Sequence, residues 1–314
     1  MKFMPTHHAV VPAGVAFAAV LAAPIALAFE KQTVTKPTVV VEEFTAEWCG
    51  PCVGGYYAME RAKDRWGDEI SQLTYSTADR YTNTHGSKRD NECGIFAIPT
   101  FVFHGTYVSL GTPSDSTIDT YIGNCQAQTP EGQIIGNWSV QAISNTAFAN
   151  IKFQADTTLP DGYELRVILH ESRWSLSASN GLTEYQYHVI DGVYRDLPAM
   201  QAGDQVTVLT SFDLSANQWV QDTDNLGITV YLHNTASSDK KNVKAGWELG
   251  PVSFLDLNSD LKINKTDSNL FRRTLGSRIG DPNYTAAADM DQNGVIDLTD
   301  RDLALDYINN GGMR

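Results

Sequence analysis

The spacing of apolar residues divides the chain into three segments with different predicted folds. In the first, residues 36–128, short apolar runs are separated by longer polar stretches. The runs at 39–44, 72–76 and 94–103 predict strands, and 51–66 and 114–126 predict helices. Residues 77–92 are polar and carry no predicted element. Strands that alternate with helices predict an α/β layer fold.

The second segment, residues 131–253, has apolar residues at every other position of several short runs. This alternation is typical of strands with one buried face. Turn-forming residues separate the runs at 160–162, 180–181, 202–204 and 224–225, so the segment predicts an antiparallel β-sandwich. The alternating residues are Trp138, Val140 and Ala142; Ile151 and Phe153; Leu165, Val167 and Leu169; Ile228, Val230 and Leu232.

The first 28 residues predict a secretory signal peptide. Lys2 precedes an apolar run that ends at 26–28 in the small-x-small pattern Ala-Leu-Ala. An uncleaved membrane anchor is the alternative, although two prolines and a glycine weaken this run as a spanning helix. No later apolar stretch is long enough to span a bilayer. The mature chain is therefore expected to be exported, either periplasmic, outer-membrane-associated or extracellular.

The formal charge of −14 narrows the range of partners. A chain this acidic is not expected to bind nucleic acid or anionic membranes, because like charges repel. The charge suits an exported protein that binds cations.

The cysteines supply the first candidate chemistry. Cys49 and Cys52 lie three positions apart, so they can close and reopen a disulfide within one turn. They follow a predicted strand and begin a predicted helix, where unpaired N–H groups favour a thiolate. Cys49 is expected at the exposed end as the attacking thiol, and Cys52 deeper as the resolving thiol. Cys93 and Cys125 remain as candidates for a structural disulfide.

Two motifs in segment 36–128 resemble those of thioredoxin-like proteins. Residues 44–52, with sequence FTAEWCGPC, are close to that family's active-site signature, and Ile-Pro-Thr at 98–100 matches its cis-proline segment. The resemblance implies a thioredoxin-like fold in which Pro99 helps to hold a substrate peptide and Trp48 packs over the site. Protein thiols or disulfides are then the expected substrates.

The same resemblance implies a proton-transfer residue. Glu43 stands where the family carries a buried acid that moves a proton for the resolving cysteine. Glu42, the neighbouring residue, is a competing candidate.

The order of the first two segments is similar to a family of small outer-membrane-associated proteins, the Omp-twenty-eight-related group. Its members couple a thioredoxin-like N-terminus to a sandwich, and the runs at 43–45, 187–189 and 230–234 carry the likeness. This similarity implies architecture rather than an activity.

The third segment, residues 254–309, contains two Asp/Asn-rich loops that begin 33 residues apart. Each places oxygen side chains at loop positions 1, 3, 5, 9 and 12, which is the pattern that wraps six to eight oxygen ligands around Ca²⁺. A backbone carbonyl at position 7 completes each set. The predicted ligands are Asp256, Asn258, Asp260, Lys262, Asn264 and Asp267 in the first loop, and Asp289, Asp291, Asn293, Val295, Asp297 and Asp300 in the second.

This tandem loop–helix repeat, with Asp at position 12, resembles type I dockerins. The resemblance implies two Ca²⁺ sites in a small α-helical module and a cohesin-like scaffold partner. Leu261 occupies a position where a sharp turn favours glycine, so the second site is expected to bind more tightly.

Three histidines of the sandwich segment, His170, His188 and His233, are interpreted as ordinary strand residues, because no ligand spacing relates them.

Two functions remain open from the sequence. The first is an exported thiol–disulfide oxidoreductase that carries a docking module. The alternative is a non-enzymatic surface or scaffold-associated binding protein, in which Cys49–Cys52 is a structural disulfide. A metal site at these cysteines is a third, weaker interpretation, since no matching ligand pair lies nearby in the sequence.

Overall fold

The computed structural model describes residues 35–141, 145–237, 241–249, 257, 265–278, 280–285, 288–289 and 294–302. The predicted signal peptide and most of the first calcium loop lie outside these residues. None of the described helices is long and apolar enough to cross a membrane.

The first part of the chain forms four strands and three helices. They are β1 (Val39–Thr45), α1 (Cys52–Trp66), β2 (Ile70–Ser76), α2 (Thr84–Cys93), β3 (Thr100–Phe103), β4 (Tyr107–Leu110) and α3 (Asp115–Gln126). β1 pairs in parallel with β2 and antiparallel with β3. Helix α2 falls in the stretch for which the sequence predicted no element. Its first turn is capped by Asn83, whose side chain accepts a hydrogen bond from the backbone N–H of Gly86.

The rest of the described chain is mainly β structure. Its strands are β5 (Gly132–Gln141), β6 (Thr146–Ala155), β7 (Tyr163–Glu171), β8 (Trp174–Ser175), β9 (Glu184–Tyr185), β10 (His188–Leu197), β11 (Gln205–Asp213), β12 (Leu226–Asn234) and β13 (Val243–Leu249). The described residues of the third segment include the helix α4 (Lys265–Thr274).

The strands of the first two segments form one sheet, which makes the predicted fold class wrong. The sequence predicted an α/β thioredoxin-like fold followed by a separate antiparallel β-sandwich. Instead, eight strands from both segments run in the order β13-β12-β7-β10-β2-β1-β3-β4. The junction is the edge of β2, where His188 pairs with Thr74 and the Thr74 N–H donates to the Tyr187 carbonyl at 2.8 Å. Local apolar spacing does not reveal which distant strand takes up an open edge, so the sequence divided a mostly β structure into two folds.

The large sheet curls back on itself. Pro37, just before β1, bridges to Trp247 of β13, and the Thr38 N–H donates to the Gly246 carbonyl at 2.7 Å. A side chain at Gly246 would lie 2.4 Å from the Val40 side chain, so this close approach requires glycine. The first and last strands are thereby joined in a nearly closed barrel.

Three large apolar clusters of described residues fill this architecture. The largest lies between the β11-β6-β5 sheet and the β7, β10, β12 and β13 part of the large sheet. A second lies beneath α1 and α3, against one face of β1 and β3. The third, on the opposite face of β1, joins Val40 and Phe44 to Ile168 and Tyr231 of the distant strands. The two segments therefore share a core as well as a sheet.

A buried ion-pair network connects α2 to that core. Arg89 of α2 donates to both carboxylate oxygens of Glu42 on β1, each at 2.7 Å. Arg166 of β7 donates to Glu92 of α2 at 2.6 and 2.9 Å. Charges taken out of water are tolerated only when they are paired and hydrogen-bonded, so this network fixes α2 against strands from both segments.

Candidate functional site

The centre of the candidate site is the Cys49–Cys52 disulfide at the start of α1. Pro51 precedes the helix, and its missing N–H suits a helix start, where N–H groups have no intrahelical acceptor. The Cys52 N–H points at the first cysteine and lies 3.2 Å from the Cys49 Sγ. A donor in this position stabilises a thiolate on Cys49 whenever the disulfide is reduced.

Both cysteines are buried, which differs from the expectation of an exposed Cys49. Cys49 is 3% exposed and Cys52 is 0% exposed. Residues 176–182, which connect β8 to β9, pack onto the Cys-x-x-Cys turn. Asn180 donates through its side-chain amide to the Cys49 carbonyl at 3.0 Å and through its backbone N–H to the Glu47 carbonyl at 3.0 Å. This segment lies far along the chain from the cysteines, so the local motif carried no signal of the contact.

The two candidate acids of β1 lie on opposite faces of the sheet. Glu42 faces α2 and is ion-paired with Arg89. Glu43 faces α1, where a Cβ added at Gly55, three residues after Cys52, would lie 3.0 Å from the Glu43 carboxylate. Burial raises the pKa of Glu43 to about 8, because no cation or hydrogen-bond donor in the described chain compensates its charge. Of the two acids, Glu43 is therefore the one that can exchange a proton near neutral pH, on the side of β1 that faces α1.

Polar groups of both segments lie on the strands next to Glu43, and local apolar spacing did not predict this arrangement. Thr74 is the register partner of Glu43 on one side and of His188 on the other. The Tyr185 ring lies 5.7 Å from the His188 ring, between centroids. The side-chain polar atoms of His188, Tyr185 and Ser76 are buried and form no hydrogen bond of good geometry among the described residues. Burial lowers the pKa of His188 to about 3 and raises the pKa of Tyr185, so both are neutral near pH 7.

Trp48 and Pro99 lie at the outer side of the site. Trp48 is 55% exposed, and its indole N–H donates to the Ala78 carbonyl at 3.2 Å. The Ile98–Pro99 peptide bond is cis, and Ile98 packs against the cluster of Ala46, Cys49 and Cys52. The structure thus brings Trp48, Cys49, Cys52, Glu43 and the Pro99 segment together around α1.

The expected structural disulfide between Cys93 and Cys125 is not formed. Both thiols are free, because they pack against opposite faces of β1. Burial raises the pKa of Cys125 to about 12 and also raises the pKa of Cys93, which keeps both thiols protonated and unreactive.

The three strand histidines lie in separate buried surroundings. His170 contacts the Tyr187 ring, His188 stacks on Trp174 with centroids 4.3 Å apart, and His233 lies near Tyr231 and Arg89. In the described part of the chain, no group of three or more His, Cys, Asp or Glu residues is arranged to hold a metal ion.

Part of the second calcium loop lies within the described residues. Asp289 and Asp300, at loop positions 1 and 12, are 2% and 0% exposed. Asp289 accepts hydrogen bonds from the Gly294 N–H at 2.9 Å and from the Tyr284 hydroxyl at 2.5 Å. Gly294, at position 6, has a φ of +85°, which allows the sharp turn that a twelve-residue calcium loop needs. Two carboxylates buried at opposite ends of one loop fit a hard divalent cation.

The other predicted calcium ligands lie partly within and partly outside the described residues. Asp297 is held at the surface of the loop by the Thr299 N–H at 2.7 Å, and Val295 supplies the position-7 carbonyl from a residue that bridges to Arg278. The side chain of Asp267 and the ligands Asp256, Asn258, Asp260, Lys262, Asn264, Asp291 and Asn293 lie outside the described residues.

Comparison with known proteins identifies this third segment. Residues 255–309 match the model of the dockerin type I domain. This part of the chain is therefore a calcium-binding docking module, of a kind that binds cohesin partners and occurs in extracellular or cell-surface proteins. No curated protein matches the chain.

The fold of the first two segments resembles a solved structure. HBP35 of Porphyromonas gingivalis superimposes with a TM-score of 0.57 at 18% identity, over 71% of this chain and 79% of that one. At this identity the likeness concerns the fold alone. A protein of Agrobacterium tumefaciens, solved by structural genomics, superimposes with a TM-score of 0.48 at 16% identity. The match covers 73% of this chain and 98% of that one. Thioredoxin f2 of Chlamydomonas reinhardtii superimposes with a TM-score of 0.24 at 20% identity. The match covers 30% of this chain and 84% of that one.

Proposed function

We propose that the chain is an exported thiol–disulfide oxidoreductase that its C-terminal dockerin module docks onto a cohesin-bearing scaffold. The observation that carries the redox part is the position of the Cys49–Cys52 disulfide. It lies at the start of α1, with the Cys52 N–H directed at the Cys49 sulfur. The buried and uncompensated carboxyl group of Glu43 lies against Gly55, one turn further along the same helix.

The proposed reaction uses both cysteines and one proton carrier. In the reduced protein the Cys49 thiolate attacks a substrate disulfide, and one substrate sulfur leaves as a thiolate. Cys52 then loses its proton to Glu43 and attacks Cys49 in the mixed disulfide, which releases the second substrate thiolate and closes Cys49–Cys52 again. Two electrons pass to the substrate, and the reverse sequence oxidises a substrate dithiol.

Two further residues support substrate binding in this proposal. Trp48 presents an exposed aromatic surface beside the disulfide, and the cis Ile98–Pro99 segment packs against the cysteines. We propose that an extended substrate segment lies between them, with its own sulfur directed at Cys49.

The test of turnover is the reduction of insulin disulfides with dithiothreitol as electron donor. Cys49→Ser should abolish catalysed reduction, because it removes the attacking thiolate. Cys93→Ser is the matched control and should retain wild-type turnover, since its partly buried thiol packs on the opposite face of β1 from α1. A wild-type rate equal to that of dithiothreitol alone would contradict the redox proposal.

A non-enzymatic protein with a structural disulfide is the second candidate function. The observation in its favour is the burial of Cys49, since a cysteine residue that is 3% exposed meets few substrates. The two candidates differ in the redox response of the disulfide. A structural bridge should survive mild dithiol treatment of the folded protein, whereas a redox-active one should open and close reversibly.

Docking is tested separately from turnover. We propose two Ca²⁺ sites, with the second the tighter, and isothermal titration of the chelator-treated protein should show two binding events of unequal affinity. A calcium-dependent pull-down from the native secretome should recover a cohesin-bearing scaffold protein with the wild-type chain and lose it with Asp289→Ala. Asp302→Ala, an exposed residue two positions beyond the loop, should retain capture. Equal capture with chelator present would contradict calcium-dependent docking.

A further inference from the structure

The segment 176–182 is built as an arm with apolar anchors and a polar tip. Leu182 is buried in the largest apolar cluster, and Leu176 and Ala178 pack against the same cluster. Between them, polar contacts bind the tip to the Cys-x-x-Cys turn and its neighbourhood. Arg80 donates to the Ser177 carbonyl at 2.7 Å, and the Ser179 hydroxyl donates to the Glu47 carbonyl at 3.3 Å.

Asn180 makes the central contacts of this tip. Its backbone N–H donates to the Glu47 carbonyl, and its side-chain amide donates to the carbonyls of Cys49 and Ala46, at 3.0 and 3.4 Å. Its side-chain oxygen accepts from the Leu182 N–H at 3.0 Å, which fixes the orientation of the amide. Asn180 therefore joins the arm to the backbone of the disulfide turn at three carbonyls.

We propose that Asn180 is a specificity-determining residue of the Cys49–Cys52 disulfide and that the segment 176–182 is its gate. Small dithiols reach Cys49 only during brief openings of the gate, and folded proteins that cannot displace the tip are excluded. A protein substrate reaches Cys49 when one of its own extended segments displaces the tip and donates to the carbonyls that Asn180 has released. The role of this gate in selecting protein substrates rests on the proposed redox function. Its effect on the access of reductants to the Cys49 sulfur does not.

The geometry of thiol–disulfide exchange explains why such a gate is effective. An attacking thiolate must approach Cys49 Sγ to form a mixed disulfide, which breaks the Cys49–Cys52 bond and leaves a thiolate on Cys52. A second thiol of the reductant then displaces Cys49 and becomes oxidised, so the reductant supplies both electrons. Cys49 is almost fully buried, and the gate is bound to the backbone carbonyls of Cys49 and its neighbours. In this proposal attack therefore requires opening of the gate, and the opening equilibrium scales the observed rate.

The tip is held by a few polar contacts, so its opening should respond to the loss of one side chain. The Asn180 side chain donates to two carbonyls, and each of these hydrogen bonds contributes modestly to holding the tip closed. Asn180→Ala should therefore increase the rate of reduction of Cys49–Cys52 by dithiothreitol by roughly tenfold. The matched control, Asn217→Ala, replaces an asparagine that contacts Asp191 and should react at the wild-type rate.

The measurement is the second-order rate of disulfide reduction in the folded, full-length protein, followed by rapid alkylation and intact-mass analysis. An Asn180→Ala rate equal to wild type, with native circular dichroism retained, would overturn the proposal. The wild-type protein supplies an independent measurement that does not depend on the variant folding. It should be reduced at least about a hundredfold more slowly by a folded protein dithiol than by dithiothreitol at equal thiolate concentration, and equal rates would also overturn the gate.

These outcomes separate the gate from the proposed function. Faster reduction of Asn180→Ala without insulin turnover by either protein supports a gate on a non-catalytic disulfide. Insulin turnover with no effect of Asn180→Ala supports the redox function and overturns the gate.

Discussion

At the residue scale, two adjacent glutamates show how strand geometry separates structural from chemical roles. Side chains alternate across a strand, so Glu42 and Glu43 lie on opposite faces of β1. Glu42 meets the Arg89 guanidinium, whereas Glu43 meets helix α1 and an apolar cluster. A glutamate side chain is thus an ion-paired charge at position 42 and a proton-binding group at position 43.

Replacing Glu43 by glutamine should change how stability depends on pH. The pKa of Glu43 is about 8 in the folded protein and about 4.5 when the chain unfolds. Its protonation therefore favours the folded state fully below pH 4.5, and this contribution is lost as pH rises towards 8. Glu43→Gln should remove this loss and increase the free energy of unfolding near pH 8 by a few kcal/mol, as an order of magnitude. Urea unfolding from pH 5 to pH 8 measures the slope.

Glu42→Gln is the matched control for that experiment. It leaves Arg89 buried with an incomplete partner, so it should destabilise the protein across the whole pH range, by about 3–5 kcal/mol. Parallel pH slopes for Glu43→Gln and the wild type would contradict the role assigned to Glu43.

At this scale, part of the candidate site can be predicted from the sequence. The residues of one local turn, Trp48, Cys49 and Cys52, and the Ile98–Pro99 segment could be identified because each motif is contiguous. Asn180 could not, because it lies 131 residues from Cys49 in the chain. Tyr185 and His188 could not either, because the pairing of His188 with Thr74 joins strands that are distant in sequence. Their local sequence carries no mark of that contact.

At the scale of single elements, helix α2 forms in a polar stretch for which apolar spacing predicts no element. Its mean composition is polar, and its buried residue, Arg89, is charged. A search for apolar spacing therefore misses the helix, since the core side of α2 is held by ion pairs rather than by apolar packing. The Asn83 cap was the available signal.

The cap of α2 should matter more than the cap of α3. Asn83 accepts from the Gly86 N–H and also donates to the Val189 carbonyl at 2.7 Å, which ties the helix start to β10. Ser114, the cap of α3, accepts from the Thr117 N–H at 3.2 Å at an exposed position. We expect Asn83→Ala to cost about 2 kcal/mol and Ser114→Ala about 1 kcal/mol in chemical denaturation. Equal losses would show that the β10 contact contributes nothing.

The second calcium loop should stabilise the dockerin module measurably. Calcium binds the folded module, so a free concentration of 100 times Kd adds about 2.7 kcal/mol to its stability. Asp289→Ala should remove most of the chelator-sensitive shift in melting temperature, because it deletes the position-1 carboxylate. Asp302→Ala is the control and should keep the wild-type shift, as it lies outside the loop.

At the scale of the whole molecule, the continuous sheet predicts joint unfolding of the first two segments. They share the β2–β10 junction, the Glu42–Arg89–Glu92–Arg166 network and one apolar cluster. We expect fluorescence and circular dichroism to report one coincident urea transition for residues 36–253. A fragment of residues 36–128 should not unfold cooperatively, since removing β10 exposes the edge of β2. Native-like cooperative unfolding of that fragment would contradict this prediction.

The strands predicted by alternation at 151–153, 165–169 and 228–232 fall within β6, β7 and β12, because their apolar face is local information. The partners of those strands are not local. The pairing of β2 with β10 and the bridge from Pro37 to Trp247 are set by the closing of the sheet, which no single run encodes. The sequence therefore predicted most of the strands but assigned them to the wrong fold.

The closed sheet also has a mechanical consequence. A tether to a scaffold pulls on the main body through the end of β13, at Leu249. That strand is hydrogen-bonded to β12 along its length and to the residues before β1, and the Trp138 indole N–H holds the Leu249 carbonyl at 3.0 Å. Tension on β13 is therefore shared between β12 on one side and the residues before β1 on the other. Peeling β13 from the sheet requires breaking the contacts on both sides. A docked protein exposed to fluid shear would gain resistance from this shared load.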